Sequence, residues 1–243
     1  MEPPPAGPDE GRRRAERVDM VIAETFTSIQ GEGMLAGVPS FFIRTSGCNL
    51  RCAWCDTPYA SWRPEGRRRA VADLVAEAAS SGCRHVVVTG GEPLLQRELG
   101  VLTRDLAGAG HHITVETAGT LDPEFDCTLL SVSPKTANSD PEGRFLGRHR
   151  TIRADLRPLF NLLRRHRDHQ LKFVVRDEDD LPEVLAMVER LSASPDRVLL
   201  MPEGRSVAEI AARERLVAGL CLRHGFRYSP RLQFDLFGGG RGV

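Results

Sequence analysis

The chain lacks a surplus of charge of either sign: 33 basic and 33 acidic side chains leave a formal charge of zero over 243 residues. No overall attraction to nucleic acid or to an anionic membrane surface is therefore expected. It lacks any run of about 18 or more apolar residues, so the sequence does not read as a membrane-spanning helix. The segment ending at Arg17 lacks the apolar centre of a secretory signal. That segment is rich in Pro, Glu and Arg and has too little apolar surface to offset its ordering entropy, so residues 1–18 are expected to form a disordered extension. The rest, 19–243, has the length of one domain with a substantial core, and the expected location is the cytoplasm. There is no disulfide framework either. Cys83, Cys127 and Cys221 are scattered among apolar neighbours, as buried free thiols of a reducing compartment would be.

What the chain does have is Cys48-Asn49-Leu50-Arg51-Cys52-Ala53-Trp54-Cys55, followed by Asp56 and Thr57. The spacing C-x3-C-x2-C puts three thiolates within reach of one metal centre, and a disulfide would leave one of them over. A structural zinc site needs a fourth ligand, and neither a second C-x2-C nor an H-x3-5-H follows downstream. A four-iron cluster normally takes four Cys thiolates. Three would leave one iron open to a substrate or cofactor, with an inert zinc knuckle as the alternative.

The rest of the chain alternates between two periods. Val21–Glu24, Phe41–Arg44, His85–Thr89, His112–Thr117, Thr128–Val132, Leu171–Val175 and Val198–Met201 read as short strands. The stripe Val71, Leu74, Val75 and Ala78 marks a helix, and further helices are expected over Leu94–Ala109, Ala154–Arg165, Leu181–Leu191 and Ser206–His224. Thr27–Gly33 reads as a flexible polar turn, and 133–151 as a mobile loop able to act as a lid. Its arginines 144, 148, 150 and 153 could meet a phosphate or a redox partner, or simply be solvated. Strands separated by helices imply parallel pairing. The expected fold is α/β, a partial, open (β/α) barrel of about six parallel strands with helices outside; a doubly wound sheet is the alternative. Either architecture puts ligands at the C-terminal strand ends, where the polar motifs fall.

The cysteine motif resembles that of the radical S-adenosylmethionine enzymes, and Gly90-Gly91-Glu92-Pro93 after a strand resembles their glycine-rich motif. A narrower resemblance, to the 7-carboxy-7-deazaguanine synthase family, runs from about Val21 to the last residue. It is carried by Ser28–Gly33, Phe42–Cys48, Trp54–Thr57, Glu116–Thr120, Ser133–Lys135, Tyr228–Leu232 and Arg241–Val243. The resemblance implies radical-mediated ring contraction of 6-carboxy-5,6,7,8-tetrahydropterin to 7-carboxy-7-deazaguanine with loss of ammonia, on the route to queuosine and other 7-deazapurines. It implies a lyase in which S-adenosyl-L-methionine is regenerated.

By the same resemblance, Cys48, Cys52 and Cys55 hold a [4Fe-4S] cluster and Thr57 is a Mg2+ ligand. Ile29, Gln30, Gly31, Arg44, Thr89 and the terminal Val243 meet the pterin, with Arg44 as a fork for its carboxylate. Trp54, Asp56, Gly91, Glu92, Ser133, Pro134 and Lys135 meet S-adenosyl-L-methionine, and Met201–Gly204 lie near it. The radical itself comes from the cofactor, so no protein side chain is expected to be catalytic. The resemblance further implies a homodimer and a flavodoxin or ferredoxin as reductant. Glu116 is either a pterin or ribose ligand or a core residue bonded to backbone, and His111, His112, His149 and His224 read as surface or capping residues. Two positions depart from the pattern: many relatives have a His and often a Trp where this chain has Gln233 and Phe237. A glycyl-radical activating enzyme and a non-catalytic metal-binding or electron-carrier module are the competing readings.

Overall fold

A computed structural model describes residues 18–243. The extension expected to be disordered lies outside the described residues except for Val18, which packs on the core and accepts a backbone hydrogen bond from Val71. The strands are β1 (Asp19–Ile29), β2 (Pro39–Thr45), β3 (Arg67–Ala70), β4 (His85–Gly90), β5 (His112–Thr117), β6 (Leu129–Val132), β7 (His169–Val175), β8 (Val198–Pro202) and β9 (Arg227–Tyr228). The helices are α1 (Val71–Ser80), α2 (Leu99–Gly108), α3 (Leu146–Ala154), α4 (Arg157–Arg165), α5 (Leu181–Arg190), α6 (Val207–His224) and α7 (Leu232–Phe237).

All nine strands form one sheet in the order β3-β1-β2-β4-β5-β6-β7-β8-β9, which does not close. From β2 to β9 every neighbouring pair is parallel, whereas β1 pairs antiparallel with β2 and β3. The open (β/α) barrel of about six parallel strands is thus present, extended at one side by an antiparallel edge.

Side chains alternate across this sheet because successive residues of a strand face opposite sides. Ile43, Val86, Val88, Ile113, Val115, Leu130, Val132, Leu171, Phe173, Val175, Val198 and Leu200 face the helices and form the core with Leu74, Leu102, Leu106, Leu159, Leu162, Val184 and Leu220. The intervening residues include Arg44, Thr89, Glu116, Ser131, Gln170 and Lys172 and form a polar inner face. A parallel sheet covered on both faces by helices would read as unbroken apolar runs. Here the second face lines a cavity, so the polar residues have a reason to be there.

Several boundaries differ from the sequence expectation. Thr27–Ile29 belong to β1, because the chain continues to pair with Pro39–Phe41 instead of turning. The segment 133–151 is not a loose lid. It contains two 3-10 turns and the start of α3, held by Asp140, which accepts from Arg150 Nε at 2.6 Å and Arg153 Nε at 2.8 Å. Leu94–Ala109 divides into a 3-10 turn at Pro93–Leu95 and α2, and the expected Ala154–Arg165 helix begins only at Arg157, with Pro158 in its first turn. Among the described residues, no helix is long and apolar enough to cross a membrane.

Candidate active site

The C-terminal ends of β2, β4, β5, β6, β7 and β8 open into one cavity of about 270 Å³. Cys48, Cys52 and Cys55 all line it, with Trp54, Asp56 and Thr57. The cysteine loop leaves β2 through Gly47 and is held by hydrogen bonds from Gly47 N–H to Ala60 O at 2.8 Å and from Glu92 N–H to Gly47 O at 2.8 Å. A Cβ at Gly91 would lie 2.2 Å from Gly47 O and 2.3 Å from Ala60 O. Only glycine lets the β4 turn approach the cysteine loop this closely.

The same turn corrects one expectation. Glu92 is fully buried and is not part of the cavity wall. Its carboxylate accepts from Thr117 Oγ1 at 2.7 Å, Ala118 N–H at 2.9 Å and Leu94 N–H at 3.1 Å. Those bonds occupy both oxygens and tie the β4 turn to the end of β5, so Glu92 braces the site and does not face a ligand. Pro134 also lies off the wall, while its neighbours Ser133 and Lys135 line it.

The three cysteines are free. Burial pushes the Cys48 thiol up to about 11, with the Glu92 charge adding to it, and the Cys52 thiol up to about 12; Cys55 is raised as well, mainly by burial. Thiols so placed remain protonated at neutral pH unless a cation takes them as thiolates. Among the described residues, no three His, Cys, Asp or Glu side chains converge on the scale of a single ion. A cubane distributes its thiolates over separate irons. Three free cysteines around one cavity, with no fourth cysteine in its lining among the described residues, therefore fit a cluster with one open iron.

Behind the loop lies a second layer. Arg51 N–H donates to His149 Nδ1 at 3.1 Å, His149 Nε2 meets Ser139 Oγ at 3.0 Å, and Ala53 N–H donates to Ser139 O at 3.0 Å. His149 is 1% exposed and so is neither a surface nor a capping residue. Trp54 donates its indole N–H to Asn138 Oδ1 at 3.1 Å and carries the Lys135 ammonium 5.4 Å from its ring centre. Lys135 in turn donates to Ser133 O and Oγ at 2.9 and 2.7 Å, which makes the Ser-Pro-Lys turn a rigid part of the wall.

The other side of the cavity is charged. Glu24 and Arg44 are cross-strand neighbours on β1 and β2 and pair at 2.7 Å. Glu24 also accepts from Tyr59 OH at 2.6 Å and from Arg241 Nε at 3.2 Å, and the Arg241 guanidinium lies 4.1 Å from the Tyr59 ring centre. This contact holds Arg241 to β1, and Val243, two residues on, lines the cavity. Arg44 gives only its Nε to Glu24 among the described residues, leaving the outer edge of its guanidinium for another carboxylate. Gln30 donates to Glu116 Oε1 at 3.1 Å and accepts from Glu32 N–H at 3.2 Å. Glu116 is therefore bonded to a side chain of the wall, not satisfied by backbone.

Sequence reasoning did not single out the group at the centre. Glu32 pairs closely with Lys172, accepts from Gln233 Nε2 at 2.7 Å and meets Arg231 Nε at 3.3 Å; Arg231 also pairs closely with Asp56. Burial alone would raise the Glu32 carboxyl, but Lys172 and Arg231 together hold it down at about 2. Lys172 interrupts the apolar run Leu171–Val175, and that interruption was the available signal. Gln233 occupies a departing position, yet it reaches the cavity and has a buried Oε1 with no partner among the described residues. Phe237 is exposed and lies off the wall. Ile29, Gly31, Thr89, Met201, Glu203 and Gly204 join the lining, so the strand-end motifs do converge.

Comparison with known proteins agrees with this arrangement. The family model "Radical SAM superfamily" matches residues 42–176. The chain is 45% identical over 237 residues to a 7-carboxy-7-deazaguanine synthase of Rhodopirellula baltica, covering 96% of this chain and 92% of the relative. It is 45% identical over 231 residues to the enzyme of that name from Halobacterium salinarum, covering 89% and 90%. The crystal structure of QueE from Escherichia coli superposes with a TM-score of 0.64 at 26% identity, over 87% of this chain and 93% of that one.

Proposed function

The chain belongs to the 7-carboxy-7-deazaguanine synthase family of the radical S-adenosylmethionine superfamily, and we propose that the cavity described above converts 6-carboxy-5,6,7,8-tetrahydropterin to 7-carboxy-7-deazaguanine with loss of ammonia. The observation that carries this reading is the single cavity in which three free cysteines face a wall able to recognise a carboxylated, polar heterocycle. A [4Fe-4S] cluster with S-adenosyl-L-methionine, when bound, supplies a carbon radical that abstracts hydrogen. The remaining work is positioning and charge stabilisation by the chain itself.

Cys48, Cys52 and Cys55 would hold the cluster, and Gly91, in the cavity wall, would present its backbone to the cofactor's amino acid portion. Trp54, Ser133 and Lys135 form the adjoining wall, with the Lys135 ammonium fixed by Ser133. On the opposite side, the Arg44 guanidinium takes the pterin carboxylate as a planar fork. Gln30, Glu116 and Glu32 offer acceptors for the pterin amino and ring N–H groups, and Thr89 and Ile29 lie against the ring. Glu32 does this as a carboxylate because Lys172 and Arg231 keep it ionised. Thr57, whose hydroxyl donates to Asp56 Oδ1 at 2.9 Å, provides with Asp56 the hard oxygen donors that Mg2+ prefers. Val243 lies in the cavity wall, where it would lie against the substrate and help to exclude water.

The protein works in the cytoplasm as a homodimer and receives its electron from a flavodoxin or ferredoxin. These statements rest on the family to which the chain belongs. The test is anaerobic: protein reconstituted with iron and sulfide is given S-adenosyl-L-methionine, Mg2+, dithionite and the tetrahydropterin, and product is followed by mass. A product of the mass of 7-carboxy-7-deazaguanine is expected. Cleavage of S-adenosyl-L-methionine with an untouched pterin would move the function to another substrate.

A further inference from the structure

The cysteine loop has a second side, turned away from the cavity. Trp62 donates its indole N–H to Cys52 O at 2.9 Å, which joins a half-buried ring directly to a cluster-ligand residue. Trp62 packs edge-on against Phe145 at 5.7 Å, and neither ring lines the cavity. Arg51 lies inside the cysteine motif and donates through Nη1 to Cys48 O at 2.7 Å and Leu50 O at 2.6 Å, and its guanidinium carbon stands 5.6 Å from the Phe145 ring centre. Arg144 approaches the same ring at 4.8 Å, and the exposed Arg148 follows one turn later on α3.

The charges here are not internally neutralised. Arg150 and Arg153 of the same segment are committed to Asp140, and Arg153 also to Glu183. Arg51, Arg144 and Arg148 have no carboxylate partner among the described residues, and exposed Arg63 follows Trp62. Even with the exposed Glu142 nearby, the patch is positive on a chain whose formal charge is zero. An uncompensated cluster of arginines around two aromatic rings is the composition of a protein-docking patch, and positive charge steers a negative partner.

We propose that the Trp62–Phe145 patch, ringed by Arg51, Arg144 and Arg148, is where an acidic one-electron carrier protein docks to reduce the cluster. This rests on the cluster assignment made under the proposed function. In the step, one electron leaves the reduced carrier, which is oxidised by one electron, and the centre held by the three thiolates is reduced by one; no bond is made or broken. The cavity is filled by substrate and cofactor on the other side, so docking behind the loop leaves both in place. The bond from Trp62 to Cys52 O gives a short bonded route from the surface to a ligand of the cluster.

The test compares reconstituted wild type with R144E/R148E, both positions being exposed and remote from the cavity wall. Reduced flavodoxin is the probe, and cluster reduction is followed by loss of its visible absorption at low and high salt. The charge-reversed protein is expected to need about tenfold or more flavodoxin for half-maximal reduction at low salt, and the difference should shrink at high salt as the charges are screened. R144K/R148K should behave as wild type. Dithionite, a small ion needing no docking surface, should support product formation equally in all three proteins. Equal flavodoxin dependence of wild type and R144E/R148E at low salt would overturn the proposal. Failure of wild type to form product with dithionite would count against the proposed function, while the absorbance measurement would still report on docking.

Discussion

Lys172→Met isolates the energetic role of the charged group beneath the substrate wall. Lys172 is 4% exposed and pairs with Glu32. Removing one member of a buried ion pair typically costs about 3–5 kcal/mol because the other is left charged and uncompensated. Glu32 keeps Arg231 and the Gln233 amide, which argues for the lower end of that range, about 3 kcal/mol. The acid–base linkage gives a similar size. Lowering the Glu32 carboxyl from 4.5 to about 2 corresponds to about 3 kcal/mol for the whole set of partners. Its sign is that of a depressed carboxylate: the contribution is complete above pH 4.5 and is lost as pH falls towards about 2, so it is fully present at neutral pH. For a chain of this length, about 2–4 °C per kcal/mol predicts a fall in Tm of roughly 6–12 °C. Urea denaturation of reconstituted protein at pH 7 should show the loss directly. The double variant E32Q/K172M should recover most of it, because it leaves no unpaired charge between these positions. A Lys172→Met protein as stable as wild type, or a double variant no better than the single one, would refute the argument that the pair is energetically coupled.

Three further perturbations address the site and the fold. Gly91→Ala places a Cβ against Gly47 O and Ala60 O at the root of the cysteine loop, and should lower the iron content after reconstitution at least twofold relative to wild type; full iron loading would show that this close packing is not needed to hold the loop. Arg44→Ala should raise the KM for the pterin by at least tenfold while the visible spectrum of the cluster is unchanged; an unaltered KM would remove Arg44 from carboxylate recognition. The rings of His85 and His112 lie 4.4 Å apart at the foot of β4 and β5, and burial holds both groups below their ordinary pKa. A histidine held neutral contributes fully above the unfolded value of about 6.5 and loses stability as pH falls below it, because the unfolded chain takes up its protons first. Thermal scans should therefore show Tm falling between pH 7.5 and pH 5.5, and less steeply in His112→Leu.

The cluster loop was legible because its information is local: three cysteines at fixed spacing in one loop need no other part of the chain to be recognised. The strands and most helices were legible for the same reason, their apolar periods being set by burial on one face. The segment 133–151 was not. Its Pro, Gly and Arg content reads as a loop, and only the pairing of Asp140 with Arg150 and Arg153 and the contact of His149 with the cysteine loop show why it is ordered. Glu92 misled in the opposite direction. Beside two glycines it looks like a ligand contact, but its partners Thr117 and Ala118 lie at the end of another strand.

The sequence by itself determined the fold class, the triad of cysteines and the family, since each depends on the order and type of residues along the chain. Tertiary structure decided which polar residues share a wall. Glu32, Lys172 and Arg231 come from the segment after the antiparallel β1, the middle of β7 and the C-terminal segment, and they meet only because the folded chain carries the segment after β1 to the polar inner face of β7, a strand that is not its neighbour in the sheet. It also decided that the tail is part of the cavity, through the hold of Glu24 and Glu65 on Arg241. Contacts between residues so far apart in the chain leave no periodic trace in the sequence, because the energy that selects them depends on the geometry of the folded sheet.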